Sequence, residues 1–218
     1  MGHAGHMLVQ LRGVCVKKGL QVLVFWKERL AFLAVPKTGT SAYEKALSAR
    51  ADMAILNPPE LKHAPVYRYN RFFRPMFEKM GAEDMETLAV MREPVSWLSS
   101  WYRYRQRPFM TGKPNSTEGI SFDEFVDGYC KGNRPGFANV GSQAKFLEPR
   151  PNGTRVTHLF RYENQAGLID FLQDRLGVTL DLPRENVSPA MEVSLSPRMT
   201  DKLQRKCAAE FELYDSIS

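Results

Sequence analysis

Cysteine is scarce in this sequence, and long apolar stretches are missing from it. The 218 residues include three cysteines, Cys15, Cys130 and Cys207, which lie far apart and show neither metal-site spacing nor a disulfide framework. Such sparse cysteine usage favours a reducing compartment. No apolar run approaches the roughly 18 residues that a membrane span needs, and residues 1–19 lack the apolar region of a secretory signal. We therefore expect a cytoplasmic protein without a signal peptide or a membrane-spanning segment.

The composition excludes further classes of protein. Hydrophobic residues make up 43% of the chain and charged residues 25%, which are globular values and not those of a disordered chain. We expect a single domain over residues 1–218, with a loosely ordered start over residues 1–19. The net charge of +6 suits an anionic ligand. Because the basic residues are scattered, we expect no nucleic-acid partner; the oligomeric state is left open.

Apolar runs, proline and glycine breaks and capping signals predict alternating strands and helices. The predicted strands cover residues 21–26, 30–35, 53–56, 87–91 and 155–160, and a tight turn joins the first two. The predicted helices cover residues 41–50, 65–80, 95–107, 164–176 and 196–214, and Ser121 with Glu124 predicts the cap of another. Residues 108–119 and 131–141 are predicted to be loops. This alternation predicts an α/β fold with a parallel sheet flanked by helices.

The most informative segment joins an apolar run to a short polar loop. Residues 30–35, Leu-Ala-Phe-Leu-Ala-Val, run directly into Pro36-Lys37-Thr38-Gly39-Thr40-Ser41, and a helical pattern follows. A loop between a strand and a helix presents backbone N–H groups, hydroxyls and the positive end of a helix dipole to one anion. It is not a Walker A sequence, because its lysine precedes its only glycine. The segment predicts a phosphate or sulfate site, to which Lys37 adds a full charge.

A second segment has a related form. The apolar residues 88–91 end at Arg92-Glu93-Pro94, and proline is well placed in a first helical turn because its missing N–H would have no partner there. Arg92 is therefore expected at the end of a strand, and Ser100 about two turns into the next helix. A guanidinium and a hydroxyl in these positions can bind one phosphate, the arginine with paired donors. Ser99 misses this spacing by one residue.

The two segments together resemble the cofactor-binding motifs of sulfotransferases that use 3′-phosphoadenosine 5′-phosphosulfate (PAPS). The Pro-Lys-Thr-Gly-Thr run resembles the 5′-phosphosulfate loop of bacterial and carbohydrate-modifying members, and Arg92 with Ser100 has the spacing of the 3′-phosphate site. The resemblance implies a P-loop-type three-layer fold with a mostly parallel central sheet. It also implies PAPS as the sulfuryl donor, no required metal, and an acceptor hydroxyl of a carbohydrate or glycoconjugate. The implied cofactor-binding residues are Lys37, Thr38, Gly39, Thr40, Ser41, Arg92 and Ser100.

Sulfuryl transfer requires an in-line sulfate, a stabilised leaving oxygen and a base for the acceptor hydroxyl. We expect Lys37 to stabilise the bridging and leaving oxygens. His63 is the preferred base, since it follows a predicted strand and resembles the Lys/His segment between the two cofactor sites of this family. The remaining candidates are Glu60 and Glu44 as reserve bases, His158 with a structural role inside an apolar strand, and His3 and His6 in the loose start.

Several polar residues receive no single role. Arg103 and Arg107 share a helix face that suits the cofactor, an acidic acceptor or plain solvent. Gln143 and Glu163 lie in loop ends that we expect to face the site, and Trp97 is expected in the core. Two other functions stay open. One is a P-loop kinase of atypical motif, against which the lack of a strand-end aspartate for Mg²⁺ counts; the other is a non-catalytic module that binds an adenosine bisphosphate or an anionic glycan.

Overall fold

The computed structural model describes residues 22–55, 57–182 and 193–217. Within them lie five strands, β1 Val22–Phe25, β2 Leu30–Leu33, β3 Met53–Ile55, β4 Glu86–Met91 and β5 His158–Arg161. The five predicted strands are therefore confirmed, with shifted ends. The predicted loose start, with His3, His6 and Cys15, lies outside the described residues.

The strands form one mixed sheet in the order β3-β1-β2-β4-β5. β2 pairs with β4, and β4 with β5, in parallel, whereas β1 is antiparallel to both β2 and β3. The expectation of a mostly parallel sheet is wrong, because two of the four strand pairings are antiparallel. The cause is local. Only four residues, 26–29, connect β1 to β2, and so short a connection permits only an antiparallel hairpin.

Helices flank this sheet. The described residues contain α1 Thr40–Leu47, α2 Pro59–Lys62, α3 Val66–Arg68, α4 Arg74–Lys79, α5 Pro94–Arg105, α6 Phe122–Tyr129, α7 Gln143–Leu147, α8 Gln165–Leu176, α9 Pro197–Lys206 and α10 Ala208–Asp215. A π-helical turn, Tyr69–Phe73, joins α3 to α4, and short 3-10 turns span Pro108–Met110 and Gly136–Ala138. The capping box that Ser121 and Glu124 predict is present at the start of α6. The chain is an α/β protein.

Two long predicted helices are interrupted. The helix expected over residues 65–80 is divided by the π-helical turn, which lies just before Pro75; a proline has no N–H for the carbonyl four residues earlier. The helix expected over residues 196–214 divides at Cys207, whose φ of −126° and ψ of 33° leave the helical region. No glycine or proline marks that break in the sequence. α2 and α7 were not predicted, because four or five residues are too few to show a helical period.

Alternate residues of the central strands pack on opposite faces of the sheet. Leu23 belongs to an apolar cluster that includes residues of α1 and α8, whereas Val24 belongs to a cluster with residues of the π-helical turn, α4 and α7. Every residue of β1 and β2 is buried. Because both faces are covered, these strands are continuous apolar runs and not alternating ones.

The parallel strands bring three segments to one edge of the sheet. β2, β4 and β5 run in the same direction, with Leu33 opposite Ala89 and Met91 opposite Arg161. Their carboxyl ends lead into residues 34–39, 92–93 and 162–164, respectively. Ligands of open α/β sheets bind outside the carboxyl ends of strands. Both segments that predict an anion site therefore begin at the edge where a ligand is expected.

A third apolar cluster joins α5, α6 and α9, and a buried arginine fixes the neighbouring loop. Arg105, the last residue of α5, is 7% exposed. Its Nη1 donates to the carbonyl oxygens of Gly136 at 2.8 Å and Phe137 at 2.6 Å, and its Nη2 donates to that of Asn139 at 2.9 Å. These three bonds hold the 131–141 loop against α5.

We expect Arg105→Met to lower the free energy of unfolding by about 2–4 kcal/mol, because it leaves three carbonyl oxygens without their charged donor. Urea denaturation followed by circular dichroism measures this difference. The control Arg71→Met removes an exposed arginine of the π-helical turn and should change the stability by less than about 0.5 kcal/mol. Equal stabilities of Arg105→Met and the unsubstituted protein would contradict this role of Arg105.

Candidate functional site

The loop after β2 is held in a curved conformation by its own contacts. Lys37 and Gly39 both have left-handed φ angles, 69° and 73°. The buried Thr38 hydroxyl donates to the carbonyl of Val35 at 2.8 Å, and Trp97 Nε1 donates to the carbonyl of Pro36 at 2.8 Å. The first bond closes the loop on itself and the second attaches it to α5. The Thr38 hydroxyl is thereby engaged, so its backbone N–H is the donor that it offers to an anion.

Helix α1 begins directly after this loop with an open N-terminus. No side chain caps the helix at Gly39. The first N–H groups of a helix have no partner within it, and the helix dipole adds partial positive charge there. Thr40 Oγ1 is buried and has no hydrogen-bond partner among the described residues. Together with the half-buried Ser41, these groups form a set of donors suited to one anion.

A close aromatic neighbour requires glycine at position 39. A Cβ added there would lie 2.7 Å from Cε2 of Tyr162, the residue after β5. The left-handed backbone adds a second reason, since residues with a side chain rarely adopt it. Tyr162 also faces Arg92, whose Cζ lies 4.5 Å from the ring centroid. Tyr162 thus contacts both predicted segments, although the sequence assigned it no role.

Arg92 joins the two predicted segments. Its Nη1 donates to the carbonyl of Lys37 at 3.4 Å, and its Nε donates to Ser96 Oγ at 2.9 Å. The fully buried Gln143 fixes the Arg92 backbone: the Arg92 N–H donates to Gln143 Oε1 at 3.0 Å, and Gln143 Nε2 donates to the Arg92 carbonyl at 2.8 Å. Burial lowers the pKa of the Arg92 guanidinium, but an arginine stays protonated near neutral pH.

The hydroxyl that Arg92 contacts is that of Ser96 and not that of Ser100. The two serines lie four residues apart, so they share one face of α5. Ser100 is 5% exposed. Ser99 accepts a hydrogen bond from Arg103 Nη1 at 2.8 Å. The role of Ser100 in phosphate binding therefore stays a prediction, although Ser100 lies on the helix face that Arg92 contacts. The sequence analysis did not identify Ser96 as a site residue.

Lys37 lies among aromatic rings and other cations. Its Nζ is 4.3 Å from the ring centroid of Tyr104 and 5.6 Å from that of Trp101, and Arg107 Cζ is 5.3 Å from the same Tyr104 ring. Burial is the largest cause that lowers the pKa of Lys37 to about 8, followed by the charges of Arg107, Arg92 and Arg103. An anion bound here would relieve the mutual repulsion of these cations.

His63 follows α2 and is attached to the same segment as Lys37. Its Nδ1 lies 3.0 Å from the carbonyl oxygen of Ala34. Because a ring nitrogen that faces a carbonyl must carry the proton, Nε2 of the neutral ring is an acceptor. Burial lowers the pKa of His63 and the charge of Lys62 adds to this, against the opposing effect of the Ala34 hydrogen bond. The histidine is therefore neutral near pH 7, in the tautomer that a base requires.

The other base candidates occupy different places. Glu60 lies on α2 and is exposed, and Glu44 lies on α1, where its charge acts on Lys62. His158 is the first residue of β5, and its Nε2 lies 3.0 Å from Glu86 Oε2. That is the amino end of the parallel strands, so His158 lies at the opposite edge of the sheet from the loop after β2.

The N-termini of α1 and α5 both lie near the site, and they differ in whether a carboxylate caps them. The Glu93 carboxylate caps α5 and accepts from the N–H groups of Val95 at 3.0 Å and Ser96 at 2.6 Å. Glu163 in turn accepts from the Glu93 N–H at 3.1 Å and from the Tyr214 hydroxyl at 2.8 Å. A carboxylate of the protein thus occupies the N-terminus of α5, whereas that of α1 has no side-chain cap. Of these two helices, α1 is therefore the one whose N-terminus is open to an anion.

Comparison with known proteins identified no relative of this chain. No family model matches the chain, and a search of curated proteins returned no match.

Over residues 22–55, 57–182 and 193–217, no helix is long and apolar enough to cross a membrane. In the same residues, no group of three or more His, Cys, Asp or Glu side chains is placed to hold a metal ion. The cytoplasmic location and the lack of a metal requirement stay predictions.

We expect Lys37→Met to stabilise the protein at pH 7, because folding buries an ammonium group whose pKa is lowered. The unfolded chain keeps a lysine pKa near 10.5, so the cost is complete below about pH 8 and disappears as the pH rises through 10.5. The gain should be on the order of 1–3 kcal/mol at pH 7 and should be largely lost by about pH 10. Urea denaturation at the two pH values measures it, with the exposed Lys27→Met as control. A gain that is the same at both pH values would show that burial of the charge is not the cause.

Proposed function

We propose that the chain is a sulfotransferase that moves a sulfuryl group from PAPS to an acceptor hydroxyl. One observation carries this proposal: the loop over residues 36–41 and Arg92 meet at the carboxyl ends of adjacent parallel strands, where Arg92 bonds to the carbonyl of Lys37. PAPS has a phosphosulfate at one end and a 3′-phosphate at the other, so it needs two such groups of donors. The P-loop-type three-layer description of the fold belongs to the same proposal.

The open N-terminus of α1 supports the placement of the phosphosulfate. Its oxygens would accept hydrogen bonds from the first N–H groups of α1 and from the hydroxyls of Thr40 and Ser41. The 3′-phosphate is assigned to Arg92 and to the face of α5 that carries Ser96 and Ser100. A charged guanidinium beside hydroxyl groups is a common arrangement for phosphate recognition.

The chemical step follows from the groups nearest the loop. The sulfuryl group passes in line from the phosphate oxygen to the acceptor oxygen, and the departing adenosine 3′,5′-bisphosphate keeps the electron pair of the broken S–O bond. Lys37 stabilises the charge that develops on that oxygen. His63 Nε2 takes the proton of the acceptor hydroxyl. The carbohydrate class of the acceptor rests on the resemblance of the loop alone.

A preference for the 3′-phosphate is the direct test of the donor site. Adenosine 3′,5′-bisphosphate should bind about ten-fold or more tightly than AMP, because the extra phosphate forms charge-assisted hydrogen bonds with Arg92. Isothermal titration calorimetry measures both affinities, with ATP included as the ligand that a kinase would prefer. Arg92→Ala should abolish the preference. Ser100→Ala should reduce it, and the neighbouring Ser99→Ala is the matched control. Equal affinity for AMP and the bisphosphate would overturn the proposal.

Transfer of labelled sulfate from PAPS to a panel of glycans, with EDTA as a control, tests turnover. His63→Gln should lower kcat by about 100-fold or more and leave the bisphosphate affinity unchanged, because the base acts on the acceptor. Since the base must be neutral, the activity should fall with falling pH, and at a lower pH than for an unshifted histidine, because burial lowers the pKa of His63. His158→Gln is the control. Full turnover in His63→Gln would exclude this base, and binding without turnover on any glycan would favour a binding module.

A further inference from the structure

Two cysteines line a cavity that contains none of the residues of the candidate functional site. Cys130 ends α6, and Cys207 lies between α9 and α10. Both are free thiols and both are partly exposed. They line one cavity of about 470 Å³, and both pack against the apolar cluster of α5, α6 and α9. The fold thus brings two reactive groups from distant parts of the chain into one cavity.

The cavity around these thiols is basic. Its charged lining residues are Lys131, Arg134, Lys145 and Lys206, and none of the described residues that line it is acidic. Arg134 is fixed in place, since its Nε donates to the carbonyl of Tyr129 at 2.8 Å and its Nη1 donates to that of Gly141 at 2.6 Å. A cavity with this charge attracts anionic molecules.

Two carboxylates near the thiols form ion pairs or hydrogen bonds with other groups. Asp127 forms ion pairs with Lys202 and Lys131. Glu210 is 5% exposed and accepts hydrogen bonds from the Tyr129 hydroxyl at 3.1 Å and the Ala144 N–H at 3.0 Å. Asp127 thus offsets the charge of Lys131, whereas the described lining of the cavity holds no carboxylate to balance Arg134, Lys145 and Lys206.

The two thiols differ in acidity. The hydrogen bond from Cys207 is the main cause that lowers the pKa of Cys130, and the charges of Lys202 and Arg134 lower it further against burial and the charge of Asp127. The same bond, together with burial, raises the pKa of Cys207. Cys130 is thus the thiol that ionises first, and a thiolate is the nucleophilic form of cysteine.

We propose that Cys130 and Cys207 are a redox-active pair that reacts with small anionic disulfides of the glutathione type in this cavity. The position of both thiols in one cavity and its cationic lining carry the proposal, which is independent of the proposed sulfotransferase function. A reactive thiol beside a resolving cysteine is the arrangement by which proteins form reversible disulfides.

The reaction has two steps. The Cys130 thiolate attacks one sulfur of glutathione disulfide, the S–S bond breaks, and one glutathione leaves as a thiolate that takes a proton from water. Cys207 then loses its proton to solvent and attacks the Cys130 sulfur, which displaces the second glutathione thiolate. Two cysteine thiols are oxidised to one disulfide within the chain, and one glutathione disulfide is reduced to two thiols.

The test uses the full chain with Cys15→Ser, so that only Cys130 and Cys207 remain. The reduced protein is incubated with oxidised glutathione near neutral pH and examined by intact mass and by peptide mapping without reductant. We expect a disulfide between Cys130 and Cys207 with no retained glutathione. Adding Cys207→Ser, or Cys207→Ala if the serine variant does not fold, should trap glutathione on Cys130. Adding Cys130→Ser should instead slow the reaction about ten-fold or more.

The role of the cavity is tested by charge. The double variant Lys145→Gln, Lys206→Gln should react about three- to ten-fold more slowly with oxidised glutathione but at an unchanged rate with the neutral bis(2-hydroxyethyl) disulfide. Lys27→Gln, at an exposed position in the β1–β2 turn, is the matched control. Two thiols that stay reduced, a disulfide formed only between two chains, or equal slowing with both reagents would overturn the proposal.

Discussion

The parallel pairing of β2 with β4 determines the geometry of the candidate site. It sets Leu33 opposite Ala89, so the chain leaves both strands in the same direction and from neighbouring points. The loop that carries Lys37 and the strand end that carries Arg92 therefore start side by side. Because the strands are apolar and buried on both faces, a shift of this register would move core residues out of their contacts. The pairing of β4 with β5 adds Tyr162 at the same edge.

Residues behind this edge hold the site in shape through buried polar contacts. Trp97 bonds to the loop at Pro36, and Gln143 bonds to both backbone groups of Arg92. Glu93 occupies the N-terminus of α5, which leaves the N-terminus of α1 as the open one. The half-buried ammonium group of Lys37, close to other cations, is unfavourable for the stability of the folded chain. Residues that bind ligands are often unfavourable for stability in this way.

Much of the fold was predictable, because strands, caps and short turns depend on near neighbours. Four of the five strands, β1 to β4, contain a short apolar run, and the Ser121–Glu124 cap formed as its spacing predicts. The mixed sheet was not predicted, although the hairpin that causes it was. Whether a sheet is parallel or mixed depends on which strands become neighbours, and the sequence does not show the strand order. The break at Cys207 carries no glycine or proline signal. The two helices on either side of it, α9 and α10, pack against each other.

The sequence by itself determined which segments are candidates to bind an anion, because a strand that ends in a polar loop and a helix is a local pattern. It also determined the resemblance from which PAPS and a carbohydrate acceptor are proposed. Only the tertiary structure decided which side chains share the site. Arg92 bonds to Ser96, which lies on the same face of α5 as Ser100, and Tyr104 lies against Lys37. It decided in the same way that Cys130 and Cys207 share one cavity. Lys37 and Tyr104, like the two cysteines, are distant along the chain, so the burial and the charge around each of them depend on how the whole molecule packs.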